Sequence, residues 1–397
     1  MRVLVVDDDA STRLLLSRFL RDLGHEVLTA TDGVEALDVL EKERIRLVIT
    51  DWVMPRMDGL ELCQRIRKGP FSRYVYMIIL TARDTKVELV AAMEAGADDY
   101  VTKPFDKSEL DVRIRAGERI LKLETDLEDR NKRLSNALSI IQRDLEAAAK
   151  MQKDLLPCPG CSLPGIAYDW IFLPCSFVAG DTFNFLNLDE SHLGFYLLDV
   201  AGHGVPAAML SFTLTKTLSS LSFPGNPLKN LSAESGHYEI LSPASAMREL
   251  NRIYLADDET MQYFTMIYGI VELESGIVTL CQAGQPHPIH MTGGGRFFLI
   301  GQGGFPIGIH SEADFDECRV QLEPGDRLLL YSDGIPDCTD AGGNYYTVER
   351  LVETLERWQH LPLGDLTKKV EDSLRSWRGG DEFEDDITLL IMERTSV

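Results

Sequence analysis

Apolar runs and amphipathic helices alternate through the first 105 residues, and this alternation constrains the fold more than any other feature of the sequence. Val3–Val6, Leu47–Thr50 and Met77–Leu80 have the length and composition of buried strands. Between such runs, apolar residues recur at helical spacing, as they do from Leu14 to Leu23. Strands and helices that alternate with short turns form a parallel, doubly wound sheet. The sequence therefore predicts an α/β domain in this part of the chain.

Polar residues follow the predicted strands of this domain, where a doubly wound sheet binds its ligands. They are Asp7 and Asp8 after the first strand, Asp51 after the third, Thr81 after the fourth and Lys103 after the fifth. Converging carboxylates repel one another unless a cation lies among them, and hard oxygen ligands favour Mg²⁺. A carboxylate beside Mg²⁺, with a lysine and a hydroxyl nearby, is equipped to accept a phosphoryl group. The alternative is that each aspartate only caps a turn, which is the interpretation we prefer for Asp9.

Residues 1–118 resemble the response-regulator receiver family, whose fold is flavodoxin-like. The matching positions are the acidic pair Asp7 and Asp8, the phosphoacceptor Asp51, the switch residues Thr81 and Tyr100, and the phosphoryl-binding residue Lys103, which precedes Pro104. The resemblance implies that the acidic pair and the phosphoacceptor hold Mg²⁺, and that the peptide bond before Pro104 is cis. It also implies a sensor histidine kinase as a partner.

A seven-residue repeat runs from Ile120 to Leu155. One position of the repeat holds Ile120, Leu127, Leu134, Ile141, Ala148 and Leu155, and the other holds Glu124, Asn131, Leu138, Leu145 and Gln152. This spacing is typical of a parallel coiled coil, in which Asn131 and Gln152 would fix the register. The alternative is a single amphipathic helix that lies on one of the domains. We favour a dimeric coiled-coil linker over residues 119–157, because a helix of about 50 Å is longer than a small domain.

Residues 158–397 contain strand-like segments that are grouped together. Segments rich in β-branched and aromatic residues predict strands at Gly194–Leu198, Thr265–Val271, Ile277–Gln282, Arg327–Tyr331 and Ile387–Met392. Helices are predicted at Ala207–Leu221, Ser245–Ala256 and Thr347–Leu355. Grouped strands with helices between the groups predict an α+β sandwich flanked by helices. Residues 222–244, which are rich in proline, glycine and polar residues, are interpreted as a surface insertion.

Four aspartates border strands in this second domain, namely Asp181, Asp199, Asp333 and Asp385. The aspartate side chain is short and anionic enough to hold two Mg²⁺ or Mn²⁺ ions about 4 Å apart. Glycines beside these residues, such as Gly180 and Gly334, allow backbone and water to approach the metals closely. The pattern predicts a two-metal hydrolase site.

Residues 145–395 resemble the bacterial PP2C-type serine/threonine phosphatases, the SpoIIE and RsbU-like regulators of sigma-factor pathways. The matching segments are Ala149–Pro157, Leu322–Arg327, Tyr331–Gly334 and Asp385–Leu390. The resemblance implies that Asp199 bridges both metals, that the Val200 carbonyl serves one of them, that Asp181 serves the second, and that Asp333 and Asp385 hold the first. A bridging water is then the nucleophile. Ala179–Asn184 and Gln285 depart from the family's usual residues, which bears on substrate preference and rate.

Three further features are given a structural interpretation. Asp386 is expected to be an outer-shell or exposed residue rather than a metal ligand. His203 lies in a Gly-His-Gly turn that backbone geometry explains equally well, so we leave it out of the catalytic set. Cys158 and Cys161 have redox or zinc-like spacing, but the sequence offers no second ligand pair, and we prefer a tight turn.

Length and charge exclude other classes of protein. At 397 residues the chain is too long for one ordinary core. Its net charge of −23 argues against a nucleic-acid partner, which would require a basic face. No apolar run reaches the roughly 20 residues of a membrane helix, and the start lacks a signal-peptide pattern. We therefore expect a cytoplasmic protein that has no membrane partner.

The sequence thus predicts a two-component response regulator whose output is a metal-dependent phosphatase controlled by phosphorylation of Asp51. By resemblance, the substrate is a phosphorylated STAS-type anti-sigma-factor antagonist. The alternative is a non-catalytic adaptor that binds a sigma factor or an anti-sigma component through a phosphatase-like domain. That alternative predicts missing metal carboxylates, whereas all four are present.

Overall fold

The computed structural model of the protein describes residues 1–69, 73–82, 86–220, 226–231, 238–255 and 262–395. Contacts divide the chain into two compact units, residues 1–140 and residues 141–397. Within the described ranges, no helix combines the length and the apolar character needed to cross a membrane.

The first unit is built on a parallel five-stranded sheet. Its strands are β1 (Arg2–Val6), β2 (Glu26–Ala30), β3 (Leu47–Asp51), β4 (Tyr76–Thr81) and β5 (Asp99–Thr102), in the order β2-β1-β3-β4-β5. The helices between them are α1 (Ala10–Asp22), α2 (Gly33–Lys42), α3 (Gly59–Lys68) and α4 (Lys86–Glu94). This strand order is that of the flavodoxin-like sheet. The predicted α/β fold of this domain is confirmed.

Both faces of this sheet are covered, which explains why its strands are apolar throughout. Val3 and Val5 of β1 share a core with Leu16 of α1, whereas Leu4 shares a core with Ala36 of α2. Helices α1, α2 and α3 begin at aspartates that accept hydrogen bonds from backbone N–H groups, namely Asp9, Asp32 and Asp58. The interpretation of Asp9 as a capping residue is therefore confirmed.

Helix α5 (Lys107–Leu155) is 49 residues long. Its first turns bury Leu110, Ile114 and Leu121 in the core of the first unit. Beyond them, six apolar residues of its middle part are each 54–62 % exposed, namely Leu123, Leu127, Leu134, Leu138, Ile140 and Ile141. The helix is continuous through the residues 119–157 predicted as linker as far as Leu155. The dimer itself stays a prediction.

The last turns of α5 correct one part of the heptad interpretation. Gln152 was expected in the coiled-coil seam, yet only 3 % of it is exposed. Its side chain is hydrogen-bonded to the backbone of Ala179 within the second unit. The chain then makes the predicted turn at Pro159 and Gly160, where Cys158 and Cys161 are free thiols.

The second unit contains two antiparallel sheets and a small ribbon. Its strands are β6 (Ser162–Leu163), β7 (Ile166–Leu173), β8 (Thr182–Asn187), β9 (His192–Val200), β10 (Lys229–Leu231), β11 (Tyr238–Ile240), β12 (Phe264–Glu272), β13 (Ile277–Ala283), β14 (Ile289–Met291), β15 (Phe297–Leu299), β16 (Glu317–Gln321), β17 (Arg327–Tyr331) and β18 (Ile387–Arg394). Its helices after α5 are α6 (Val205–Ser219), α7 (Pro243–Ile253), α8 (Thr347–Trp358) and α9 (Leu363–Arg378). The sheet orders are β16-β13-β12-β9-β8 and β15-β14-β17-β18-β7-β6.

The two sheets pack face to face and carry helices on their outer faces. Phe195 and Ile267 of the first sheet share a core with Leu330 and Leu390 of the second. On the outer faces, Tyr268 packs in a core with residues of α6 and α7. The six-stranded sheet is covered in the same way by α8 and α9. Alternate residues of one strand thus face different layers, and the predicted α+β sandwich flanked by helices is confirmed.

Part of the predicted insertion at 222–244 falls outside the described residues. Its described part contains β10 and β11, which pair as an antiparallel ribbon. Leu228 is fully buried in the same core as Leu214 and Leu218 of α6. This part of the segment is therefore anchored in the domain.

Candidate metal centres

The first candidate centre lies at the carboxyl ends of β1 and β3. Carboxylate oxygens of Asp7, Asp8 and Asp51 all lie within 4.8 Å of one another. Lys103, just after β5, places its Nζ 2.7 Å from Asp51 Oδ1 and 2.9 Å from Asp7 Oδ2. Asp7 is buried, Asp51 is half-buried and Asp8 is exposed, so the cluster opens to solvent on one side.

Electrostatics in this cluster favour a divalent cation. Burial raises the pKa of the Asp51 carboxyl, although the Lys103 ammonium opposes that shift. Burial disfavours the charge of Lys103 as well, but hydrogen bonds to Asp51 and Asp7 outweigh it and raise the pKa of the amine. Three carboxylates carry more negative charge than one lysine neutralises, and their hard oxygens suit Mg²⁺. The residues present therefore fit the predicted magnesium site.

The predicted switch residues lie on the adjacent strands β4 and β5. Thr81, at the end of β4, is 3 % exposed, and its carbonyl accepts a hydrogen bond of 2.6 Å from the Lys103 N–H. Tyr100 is half-buried on β5, with the Arg113 guanidinium 6.0 Å from the centre of its ring. The Lys103–Pro104 peptide is cis, as the resemblance implied.

The second candidate centre joins the edges of the two sheets in the second unit. Asp181 directly precedes β8, and Asp199 lies near the end of the adjacent β9. On the other sheet, Asp333 follows β17 and Asp385 precedes β18. The two sheets are connected here by Asp386, whose Oδ2 accepts a hydrogen bond of 2.7 Å from the Gly180 N–H.

Asp181 is the most deeply buried member of this group. It is 1 % exposed, and in the described part of the chain neither of its carboxylate oxygens has a hydrogen bond of ordinary geometry. Burial, followed by repulsion from Asp199 and Asp386, raises the pKa of Asp181 well above its usual value. The hydroxyls of Thr388 and Ser332 lie close enough to oppose the rise in its pKa but do not outweigh burial. A buried carboxylate without a partner is costly unless a cation compensates it. Asp181 therefore fits the role of a metal ligand. Among the described residues, however, no three of the four predicted aspartates have carboxylate oxygens that all lie within 4.8 Å of one another.

The other three aspartates are more exposed to solvent than Asp181. Asp199 is half-buried, and desolvation with repulsion from Asp333 and Asp385 raises its pKa to about 7. Asp333 and Asp385 reach solvent, yet the surrounding protein desolvates them enough to raise the pKa of both. Mutual repulsion among carboxylates is the expected state of a metal-binding cluster before metal binds. The exposed pair leaves the centre accessible to a substrate.

Sequence analysis left two possibilities for Asp386, an outer-shell residue or an exposed one. Asp386 is only 4 % exposed, so the second possibility is wrong. Its Oδ1 accepts a hydrogen bond of 2.8 Å from the Cys175 N–H, in addition to the bond from Gly180. Both oxygens are thus used in holding the chain segment before Asp181, which supports the outer-shell interpretation. Cys175 Sγ lies within 4.8 Å of carboxylate oxygens of Asp385 and Asp386.

The sequence did not reveal two residues that shape this centre. Gln152 binds the Ala179 backbone through both atoms of its amide. Cys175 lies beside Asp386. Burial is the main cause that raises the pKa of the Cys175 thiol to about 12, and the Asp386 carboxylate adds to the shift. An isolated glutamine or cysteine carries no spacing signal, so only the tertiary fold could identify them. By contrast, Gly202 and Gly204 both have positive φ, which supports the backbone explanation of the turn around His203.

Comparisons with known proteins agree with both halves of this description. The family model for Stage II sporulation protein E (SpoIIE) matches residues 189–395, and that for the response regulator receiver domain matches residues 3–115. The chain is similar to "Response regulator MprA" of Mycobacterium avium, with 47% identity over 128 residues, which are 32% of this chain and 55% of the relative. Its similarity to MprA of Mycobacterium leprae is 47% over 116 residues, or 29% and 50%. The chain thus spans about half the length of the curated relatives it matches.

Among solved structures, the chain is similar to the SiaA-PP2C domain of Pseudomonas aeruginosa. The TM-score is 0.53 at 19% identity, over 66% of this chain and 99% of that chain. At this identity the likeness concerns the fold alone. The SpoIIE family model covers more than half of the chain. The chain therefore belongs to the SpoIIE family, with a response-regulator receiver domain ahead of its PP2C-type phosphatase domain.

Proposed function

We propose that the protein is a two-component response regulator that hydrolyses phosphoserine or phosphothreonine on a regulatory protein, under control of Asp51. The observation that carries this proposal is Asp181, a buried carboxylate without a hydrogen bond of ordinary geometry, whose pKa is raised by burial and by the nearby Asp199 and Asp386. A non-catalytic adaptor would gain nothing from this arrangement, because an uncompensated buried carboxylate lowers the stability of the fold. Family membership supports the same activity.

The aspartates would hold two Mn²⁺ or Mg²⁺ ions, with Asp199 shared between them. The Val200 carbonyl and Asp181 would complete one side, and Asp333 and Asp385 the other. When bound, such a pair of ions supplies a nucleophilic hydroxide at neutral pH and stabilises charge on the phosphoryl oxygens. The protein's own contribution is to hold these oxygens in place and to keep Asp181 away from water.

In the receiver, Asp51 is proposed to attack the phosphorus of a phosphodonor. A new P–O bond forms at its carboxylate while the bond to the leaving group breaks. Lys103, which already lies 2.7 Å from Asp51, would then stabilise the phosphoryl oxygens. The donor we propose is a sensor histidine kinase, and the Mg²⁺ ion would be held by Asp7, Asp8 and Asp51.

The partners follow from the same proposal. The substrate would be a phosphorylated STAS-type anti-sigma-factor antagonist, which family membership supports. The exposed residues Leu127, Leu134, Leu138 and Ile141 of α5 support a homodimer, because they lie at coiled-coil spacing and have no cover within the chain's described residues. With these partners, the place of action would be the cytoplasm.

Turnover of a phosphoserine peptide is the direct test of the activity. We expect hydrolysis by the full-length protein with Mn²⁺, and its loss when the metal is removed with a chelator. Release of inorganic phosphate measures the rate. If Mn²⁺ binds but neither a phosphopeptide nor a phosphoprotein is hydrolysed, the adaptor alternative replaces the enzyme.

The linker offers a test of how the receiver could control the phosphatase. Replacing Leu134 and Ile141 by aspartate places charge within the exposed apolar stripe of α5, and we expect the protein to become monomeric. Coupling between distant sites requires an element with two states, so the phosphatase rate should no longer respond to a small phosphodonor. Light scattering, with a chain mass of 44.5 kDa, measures the first effect, and phosphate release the second.

The matched control for this experiment is Asn136→Asp with Ser139→Asp. These positions lie on the opposite side of the helix at about 100° per residue, and the added charge is the same. This variant should stay dimeric and responsive. A dimeric, responsive Leu134→Asp/Ile141→Asp protein would show that the linker is only a tether.

A further inference from the structure

The chain segment that carries Asp181 is held from two sides. On one side, both oxygens of Asp386 accept backbone N–H groups, at Cys175 and Gly180. On the other side, Gln152 of α5 binds Ala179 twice. The Ala179 N–H donates to Gln152 Oε1 at 2.9 Å, and Gln152 Nε2 donates to the Ala179 carbonyl at 2.8 Å. The segment 175–181 is thus fixed immediately before the buried carboxylate.

The same segment packs against the second ligand predicted for that metal. A Cβ atom on Gly180 would lie 2.9 Å from the Val200 carbonyl oxygen and 3.4 Å from that of Gly202. The backbone at Gly180 therefore lies too close to the Val200 carbonyl to leave room for a side chain. A shift of Ala179 would move Asp181 directly, and it would change the space beside the Val200 carbonyl.

Gln152 also fixes where α5 ends on this domain. Leu156, just after the helix, is buried in the core between the sheets, and Asn184 Nδ2 donates to the Leu155 carbonyl at 3.1 Å. Gln152 lies one turn before these contacts and can reach Ala179 only when the last turns of the helix are in place. Its two hydrogen bonds are buried, so breaking them leaves polar groups unsatisfied.

We propose that Gln152 is a positioning residue for the metal site, whose amide holds segment 175–181 so that Asp181 and the Val200 carbonyl can bind a metal together. Metal affinity then depends on the order of the last turns of α5. This inference rests on the proposed function, since it assigns a means of regulation to the same site.

The test replaces Gln152 by methionine in the full-length protein. Methionine has a similar shape but can make neither hydrogen bond, so packing is retained while the backbone contact is lost. The matched control is Gln142→Met on the same helix, whose exposed amide contacts only Glu146 among the described residues. We expect the apparent Kd for Mn²⁺ to rise about tenfold in the first variant, the effect of losing an outer-shell contact, and to stay unchanged in the second.

Three readouts separate positioning from a general loss of structure. Free Mn²⁺, followed by its paramagnetic resonance signal, gives the Kd without any turnover. Amide hydrogen exchange should accelerate at Ala179 and Gly180. Saturating Mn²⁺ should restore most of kcat, with KM for the phosphopeptide unchanged. Gln152→Asn, which keeps the amide but is one methylene too short to reach Ala179, should behave in the same way if the methionine variant folds poorly.

Different results would contradict the proposed phosphatase function and the proposed role of Gln152. If the wild-type protein binds no Mn²⁺ and hydrolyses no phosphoprotein, the proposed function is wrong. If it does both, and folded Gln152 variants bind Mn²⁺ as tightly as Gln142→Met with unchanged exchange at Ala179, the role of Gln152 is wrong while the phosphatase stands.

Discussion

Asp199→Asn is expected to lower Mn²⁺-dependent hydrolysis by about a thousandfold, since a two-metal centre contributes several kcal/mol to the reaction. Asp199 is the residue proposed to bridge both ions, and an amide cannot replace its shared negative charge. Phosphate release from a phosphoserine peptide measures the effect. Asp372→Asn is the matched control, because this exposed aspartate on α9 contacts only Lys369 among the described ion pairs.

The fold of the Asp199→Asn protein should not suffer. The pKa of Asp199 is raised to about 7 by burial and by neighbouring carboxylates, so its ionised form is unfavourable in the metal-free fold. Removing that charge should leave the metal-free Tm unchanged or higher near neutral pH. Mn²⁺ should raise the Tm of the wild type by binding the folded state, and it should have little effect on the variant. A wild-type rate in Asp199→Asn would refute the assignment of the bridging ligand.

Asp51→Asn is expected to abolish phosphorylation of the receiver completely. A small phosphodonor with Mg²⁺ should add one acid-labile phosphoryl group to the wild type, because the Asp51 carboxylate is the proposed nucleophile. An amide at this position offers none. Intact-protein mass spectrometry before and after acid treatment measures the uptake.

Asp58→Asn provides the control for this experiment. Asp58 caps α3 by accepting a hydrogen bond from the Glu61 N–H, and asparagine caps helices equally well. This variant should take up phosphoryl normally. Labelling that persists in Asp51→Asn would move the phosphoacceptor to another residue.

The receiver fold could be predicted from sequence because the apolar pattern of each strand agrees with its position in the sheet. Val3, Val5 and Leu4 face opposite layers of the same domain, so the strand is apolar throughout and easily recognised. Asp7 and Asp51 then follow their strands directly, and a parallel sheet brings such residues to one edge. No long-range information was needed to place them together.

In the second domain, the sequence prediction missed β7 and α9. Asp169 lies in the middle of β7 and interrupts its apolar pattern, although it is buried in the fold. Its Oδ2 accepts a hydrogen bond of 2.6 Å from Thr367 on α9, and its Oδ1 accepts one from the Gly160 N–H. The partner that makes burial of this aspartate possible lies 198 residues away, so no local pattern could identify it.

Gln152 shows a different limit of sequence reasoning. Its heptad position is compatible both with a coiled-coil seam and with contact to the chain's own second domain. Leu134 and Gln152 belong to the same repeat, yet one is 60 % exposed and the other 3 %. The repeat describes a face of the helix, whereas the tertiary fold decides what covers that face.

The position of β18 has a consequence for how the second domain folds. It is the last described strand in chain order, yet it lies between β17 and β7 inside its sheet. Until β18 is inserted, the early strand β7 is separated from β17, and Asp385 and Asp386 are not available to the segment around Gly180. Domains are synthesised from their N-terminal end, and contacts between residues so distant in sequence form late. The proposed metal centre therefore cannot form before β18 joins the sheet, and the proposed phosphatase activity would be acquired at that same step.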